Sequence, residues 1–375
     1  MRGFLRLGRI TGIPVSIHWT LAVIAWFLGV GLATGALPAS VPHASTAEYW
    51  GTAAVGVVAF FGSVLVHELS HALVARRFGV VTEGIDLWLL GGMARLDRDA
   101  PSPKADGLIA AAGPAASVVL GVVFIGAAVG LGALGIWPLA AAMVGWLGLV
   151  NLIIAVFNLL PGAPLDGGRI LRAVRWSRHH DRLRATNEAT QAGQVLGWAI
   201  VIFGGWALMH GWGGFFLPLT GAFLVISAKA EQLAAASEAR LDGVTVDDVT
   251  WYGVAEASAD TDAETMLGQR GRLGLPRVVA VQDGRGGLTG LVAEDQLWSV
   301  PEQQRPVTRL AQLIVPFNRM ARAEPHEALA TALARATPYA SFITVWQEDR
   351  LVGVVTREAL QRRLQALPQP APAPA

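Results

Sequence analysis

His67-Glu68-Leu69-Ser70-His71 closes the apolar run Gly51 to Val66, and the reading of this stretch decides how the rest of the chain is understood. An ionised group deep in a bilayer costs about 2.5–3.5 kcal/mol or more, so three ionisable residues in one turn of a membrane helix call for a functional explanation. On a helix, His67 and His71 lie one turn apart on one face, close enough for both imidazoles to bind one Zn²⁺. Glu68 is angularly adjacent, so its carboxylate can reach a water at the metal without competing strongly for coordination. Two nitrogen ligands, one general base and an open position are what metal-assisted hydrolysis requires. A catalytic zinc site normally has three protein ligands, so another must come from elsewhere in the chain.

Composition sets the surroundings. Of 375 residues, 53% are hydrophobic and only 15% charged, with a mean hydropathy of +0.46. That average hides a sharp division: the long apolar runs precede Lys229, while Glu231 to Leu367 reads as an ordinary soluble domain. The absence of cysteine excludes disulfides, thiolate zinc sites and cysteine nucleophiles. A net charge of +1 gives no electrostatic basis for a nucleic-acid partner. Arg greatly outnumbers Lys, and Ala and Gly are abundant, a usage that points to a bacterial genome rich in G and C.

Hydropathy predicts six membrane spans, roughly Ser16 to Leu37, Trp50 to Ala75, Gly107 to Leu134, Trp137 to Leu160, Gly193 to Met209 and Trp212 to Ala228. Counted alternately from a cytosolic start, every basic cluster falls on the cytosolic side: Arg2, Arg6 and Arg9, then Arg76 and Arg77, then Arg169 to Arg184, then Lys229. Both termini are therefore expected in the cytosol. His18, near the start of the first span, fits either helix packing at the interface or a place near the metal.

Three connecting stretches matter. Ile85 to Leu90, the pair Gly91-Gly92, and Met93 to Leu96 predict a β-hairpin dipping toward the membrane. Such a hairpin can cover the helices, or it can offer backbone to an extended substrate by strand addition. Gly113-Pro114-Ala115-Ala116-Ser117 predicts close helix packing, with Pro114 loosening the local ladder. In Asn158 to Arg169, Pro161, Gly162 and Pro164 interrupt the helix and place Asp166 in irregular backbone. Asp166 is the natural third ligand; an Asp-Gly turn capping a helix that begins at Arg169 accounts for the same residues. Asn158 can give its amide to a scissile carbonyl, or to a backbone carbonyl freed near Pro161. Arg169 to Arg184 predicts an amphipathic segment at the head groups, with His179 and His180 solvated.

The chain resembles the site-2 protease family of intramembrane zinc metalloproteases, peptidase family M50. The residues that carry the resemblance are His67 to His71 and the Asn-x-x-Pro-x-x-x-x-Asp-Gly pattern from Asn158 to Gly167. It extends over roughly Gly12 to Lys229. It implies one Zn²⁺ held by His67, His71 and Asp166, with Glu68 activating water. The implied substrate is a single-span membrane protein such as an anti-sigma factor, cleaved in or near its transmembrane segment during regulated intramembrane proteolysis. The implied location is the bacterial plasma membrane, with the lipid bilayer as the second partner. No PDZ insertion separates the motif-bearing spans, so the chain looks like the compact six-span branch that carries CBS domains.

The soluble tail agrees with that placement. Val278 to Val281 with Gly290 to Val292, and Phe342 to Trp346 with Leu351 to Thr356, form two copies of strand, turn, strand and helix that resemble a CBS pair. Such pairs bind adenine nucleotides through a Thr or Ser and an Asp three residues on. The matching positions here are Ala293 with Gln296 and Thr356 with Ala359. The lost Asp residues favour a structural or homodimerising module over an adenine-nucleotide sensor.

The expected fold is thus a polytopic α-helical membrane domain of six transmembrane helices followed by a soluble α+β CBS-pair domain. Its boundaries are a membrane domain at 1–229, a linker at 230–240, the CBS-like tandem at 241–366 and a disordered Pro/Ala tail at 367–375. A second reading, a transporter or channel with a CBS regulatory module, would have the buried His, Glu and Asp line an ion path.

Overall fold

In the computed structural model, residues 4–88, 91–212, 214–269, 277–336 and 342–366 are described. Leu89 and Leu90 of the expected hairpin and the Pro/Ala tail lie outside the described residues. The chain divides into two compact units, Met1–Ala235 and Ala236–Ala375.

The first unit opens differently from the sequence expectation. Residues from Ser16 onward do not begin a span: β1 (Phe4–Ile10) and β2 (Ile13–His18) form a hairpin through Thr11 and Gly12, both at positive φ. Alternation explains it, because Ile13 and Val15 are buried while Pro14 and Ser16 are not, a period of two that a helix cannot satisfy. The helix α1 (Leu21–Ser40) starts only after this hairpin and contains one π turn at Leu32–Ala36. His18 bonds the Thr20 hydroxyl through Nδ1 at 2.8 Å and packs its ring 4.8 Å from that of Phe4, so it has a packing role.

Helix α2 (Thr46–Arg77) carries the His67 to His71 turn. A capping box starts it: Ser45 accepts from the Glu48 amide, and the Glu48 carboxylate accepts from the Ser45 amide at 2.7 Å. Arg76 and Arg77 complement its C-terminal dipole. Strands β3 (Thr82–Trp88) and β4 (Gly91–Leu96) follow as a hairpin, but Gly91 and Gly92 do not form its turn as expected: they belong to β4 and pair with Trp88 and Leu87. They complete a four-stranded sheet in the order β1-β2-β3-β4, with β2 and β3 parallel and β4 at an edge. Ile13, Leu21, Ala72, Ile85 and Leu87 form the buried cluster that seats this sheet on α1 and α2.

The remaining helices of this unit are α3 (Pro103–Ala133), α4 (Pro138–Asn158), α5 (Asp166–His179), α6 (Arg182–Met209) and α7 (Phe216–Leu241). Among the described residues, five helices are long and apolar enough to cross a membrane: α1, α2, α3, α4 and α6. Of the sixth expected span, Trp212 to Ala228, the part from Phe216 onward lies in α7, and its apolar stretch up to Ala228 is shorter than the other five. The packing has the inverted polarity of a membrane protein. On α2 the buried face is largely small, with Ala53, Gly56, Ser63, Ala72 and Ala75, while Val55 and Val58 point outward. Large side chains outward and small ones inward let backbones approach where lipid, not water, is the solvent.

The second unit contains the expected repeat. One copy is β6 (Ala255–Ser258), α8 (Ala263–Gly268), β7 (Val278–Gln282), β8 (Leu288–Ala293) and α9 (Glu294–Ser299). The other is β10 (Ala321–Ala323), α10 (Leu329–Arg335), β11 (Phe342–Gln347), β12 (Arg350–Thr356) and α11 (Arg357–Ala366). In each, the first strand pairs parallel and the next antiparallel. The copies also exchange strands. β5 (Trp251–Tyr252), before the first copy, pairs with β12, and β9 (Val315–Pro316), before the second, pairs with β8. Buried Val279, Val281 and Val292 form one core, and Ile343, Val345 and Val355 take the same places in the other.

Candidate metal centre

Two elements far apart in sequence converge on the His67 turn. His67 and His71 are buried on α2. Asp166 is the first residue of α5, which therefore starts earlier than the Arg169 expected from sequence. The loop before it is fixed by the Ala163 amide, which donates to the Ala189 carbonyl of α6 at 3.0 Å. As a result Asp166 Oδ2 lies 3.2 Å from Nε2 of His67 and 3.2 Å from Nε2 of His71, and the two Nε2 atoms are 3.2 Å apart. Among the described residues these three side chains are the group of His, Asp or Glu able to hold a metal ion, all within 4.8 Å of one another.

The far sides of the imidazoles identify what this triangle can hold. His71 Nδ1 meets the carbonyl oxygen of Ile109 at 2.7 Å, and His67 Nδ1 meets the hydroxyl of Ser117 at 2.9 Å. A carbonyl only accepts, so His71 carries its proton on Nδ1 and turns the Nε2 lone pair inward; Ser117 can hold His67 in the same tautomer. Three acceptors then face one point, an arrangement that a cation satisfies. A tetrahedral zinc with ligands near 2.0–2.1 Å sets its ligand atoms about 3.3 Å apart. The donor set and its spacing therefore fit zinc.

Both supporting groups sit on α3, in the segment that sequence read as packing alone. Pro114 removes one amide from the ladder of this turn. Gly113 brings the helix up to the imidazoles: a Cβ there would run into His71 Nε2 and stand 2.6 Å from His67 Nε2. The small residues and the proline were legible; their relation to the histidines was not, because it depends on how α3 is rotated against α2.

Glu68 lines the same cavity of about 520 Å³ as His67, His71 and Asp166. Its carboxylate hydrogen-bonds the backbone of Ala94, and its Cγ occupies the space that a Cβ on Gly92 would need. Edge strand β4 thus forms one wall, with Gly91, Gly92 and Met93 all lining the cavity. Asn158 is also in the wall. Its Nδ2 donates to the carbonyl of Ile154 at 3.0 Å, one turn back on α4, rather than to a carbonyl beside Pro161.

A group that sequence reasoning missed ties α3 to α5. Asp106, on the first turn of α3 and 1% exposed, accepts two hydrogen bonds from Arg172 at 2.9 Å and one from Arg169 at 3.3 Å. Arg172 also approaches Glu231 of α7 at 3.6 Å. The basic stretch is therefore not uniformly solvated as expected: two of its arginines turn inward, where removing one partner of a buried pair costs about 3–5 kcal/mol. His179 and His180 are exposed, as expected, and His179 is 3.9 Å from Glu188.

The pattern of peptidase family M50 matches residues 55–136 and 136–203. Rip3 of Mycobacterium tuberculosis, named as a zinc metalloprotease, is 37% identical over 99% of this chain and 96% of its own length. The solved site-2 protease from Methanocaldococcus jannaschii is 30% identical, covering 61% of this chain and 95% of that one, with a TM-score of 0.43. The CBS domain of a bacterial CNNM/CorC family Mg²⁺ transporter, solved with ATP, is 17% identical over 35% of this chain and 94% of its own, with a TM-score of 0.28.

Proposed function

Since this chain belongs to peptidase family M50 and is a zinc metalloprotease with several membrane-spanning helices, we propose that it cleaves a peptide bond in or near the transmembrane segment of a membrane-anchored regulatory protein. In this reading His67, His71 and Asp166 hold one zinc ion and Glu68 is the general base. The observation that carries it is the convergence of those three ligand atoms within 4.8 Å, in a cavity that Glu68 also lines. Ionisable groups gathered on one point are the mark of a metal centre; an ion path would string them out, which counts against the transporter reading.

Zinc held there supplies a Lewis acid that polarises a peptide carbonyl and acidifies a water. Glu68 takes the proton from the attacking water and passes it to the leaving amine. The second amide hydrogen of Asn158, not engaged by Ile154, is available to the carbonyl oxygen as negative charge develops on it. A helical substrate hides its carbonyls in its own hydrogen bonds. The outer edge of β4 at Gly91 and Gly92 gives an unwound segment a strand to pair with.

The full reading has α7 as a sixth span, a membrane domain over 1–229, a linker at 230–240, a CBS-like tandem over 241–366 and a tail at 367–375. The orientation places both termini in the cytosol of a bacterial plasma membrane. A single-span anti-sigma factor is the proposed substrate. The tandem acts as a dimerising module, since Gln296 and Ala359 stand where a ribose-binding pair would need Asp.

The test pairs metal content with turnover. The parent and Asp166→Ala are purified in detergent, bound zinc is quantified, and each is incubated with single-span membrane peptides. About one zinc per parent chain, its loss in the variant and chelator-sensitive cleavage are expected. A parent that binds no zinc overturns the reading.

A further inference from the structure

The structure assigns to the Asp106–Arg172 pair the role of positioning Asp166 for metal binding, an inference that rests on the ligand set proposed above. Asp166 differs from the two histidines in its support. Each imidazole is oriented by its own hydrogen bond from α3, His71 by Ile109 and His67 by Ser117. Asp166 comes from another helix, and among the described residues its Oδ2 meets the two Nε2 atoms. With the preceding loop anchored at Ala189, its position then depends on where the first turns of α5 are held.

Asp106 holds them. It stands on α3 one turn before Ile109, and its two oxygens receive the bidentate fork of Arg172 and one bond from Arg169. Arg169 is one turn and Arg172 nearly two turns along α5 from Asp166. One face of α3 thus sets all three ligands: Asp106 through α5, Ile109 and Ser117 directly. The buried carboxylate accepts three charge-assisted bonds, a rigid geometry that neither lysine nor a neutral acceptor reproduces. Asp106 and Arg172 are positioning residues, without contact to substrate.

The experiment measures the rate at which purified, zinc-loaded protein gives up its metal to a chromogenic chelator, together with kcat and KM on a cleaved membrane peptide. Arg172→Met should release zinc at least about tenfold faster, in the range typical of groups that orient a metal ligand, with kcat lowered and KM unchanged. Arg172→Lys should fall between that variant and the parent. Glu231→Gln removes the charge of another neighbour of Arg172 but leaves the α3 pair intact, and should release zinc at the parental rate. If Arg172→Met does not fold, Asp106→Asn, which keeps the shape and loses the charge, replaces it and should release zinc severalfold faster. Parental zinc release in the folded Asp106 or Arg172 variants overturns the positioning role, as does a Glu231→Gln effect equal to that of Arg172→Met. Failure of the underlying ligand set looks different: Asp166→Ala would then keep its zinc.

Discussion

His71 donates from Nδ1 to the carbonyl oxygen of Ile109, 2.7 Å away, and this one bond decides which nitrogen faces the metal centre. Because a carbonyl has no proton to give, the tautomer is fixed from outside the site, and the Nε2 lone pair points at Asp166 and His67. The support comes from backbone and so does not depend on the side chain at 109.

Ser117 plays the same part for His67 with a side chain, and mutation can reach it. Ser117→Ala removes the oxygen 2.9 Å from His67 Nδ1 and leaves a 1%-exposed site without a partner for it. Zinc affinity should fall roughly tenfold or more. Competition with a chelator of known affinity measures this; an unchanged affinity would show that His67 is oriented by packing alone.

Glu68→Gln separates metal binding from chemistry. The amide keeps the shape beside Gly92 and Ala94 but cannot accept a proton. Cleavage should fall by about 10²–10⁴ while zinc content stays at the parental value. Loss of zinc together with activity would make Glu68 part of the metal site instead.

What the sequence made legible was the chemistry that local spacing encodes. His67 and His71 share a helix face by their numbering alone, and the break at Pro161, Gly162 and Pro164 marked Asp166 although 99 residues separate it from His67. The hairpin around Gly91-Gly92 was legible too, although the two glycines pair with Trp88 and Leu87 instead of turning the chain. Hydropathy misled at the start of the chain, where Ile13, Val15 and Ile17 are as apolar as a span but alternate as a strand, and where pairing with Ile85 and Leu87 settles the matter. The inward turn of Arg169 and Arg172 was hidden for a related reason. A basic run reads as solvated until a buried acid from a distant helix, here Asp106, is placed beside it.

The tail should show an acid-sensitive step. Asp262 caps α8, accepting from the Thr265 amide and hydroxyl, both at 2.8 Å, and Asp248 accepts likewise from Thr245. These bonds hold both carboxyls below their usual range. A carboxyl with a lowered folded-state pKa stabilises above its unfolded value, near pH 4, and that stabilisation is lost as pH falls through the folded value. The melting temperature of Asp262→Ala should thus trail the parent at pH 7, and the gap should narrow as pH falls below about 4. A gap independent of pH would assign the effect to helix propensity rather than to the charge.

Two glycines of α3 give opposite expectations for one and the same substitution. Gly126→Ala adds a methyl where nothing lies within 4 Å, and alanine is favoured over glycine inside a helix by about 0.5–1 kcal/mol, so the variant should be at least as stable as the parent and fully active. Gly113→Ala adds the same methyl against Nε2 of both His67 and His71. Those atoms belong to stiff rings already tied at Nδ1 to Ile109 and Ser117, so neither ring can turn away without breaking its bond to α3. The helix itself must retreat, and in doing so it withdraws both supporting groups. Gly113→Ala should therefore insert and fold with the spans intact, yet bind zinc poorly and lose most of its activity. Zinc analysis of the two variants side by side checks this. Equal metal content would mean that α3 does not approach the histidines as closely as the structure places it.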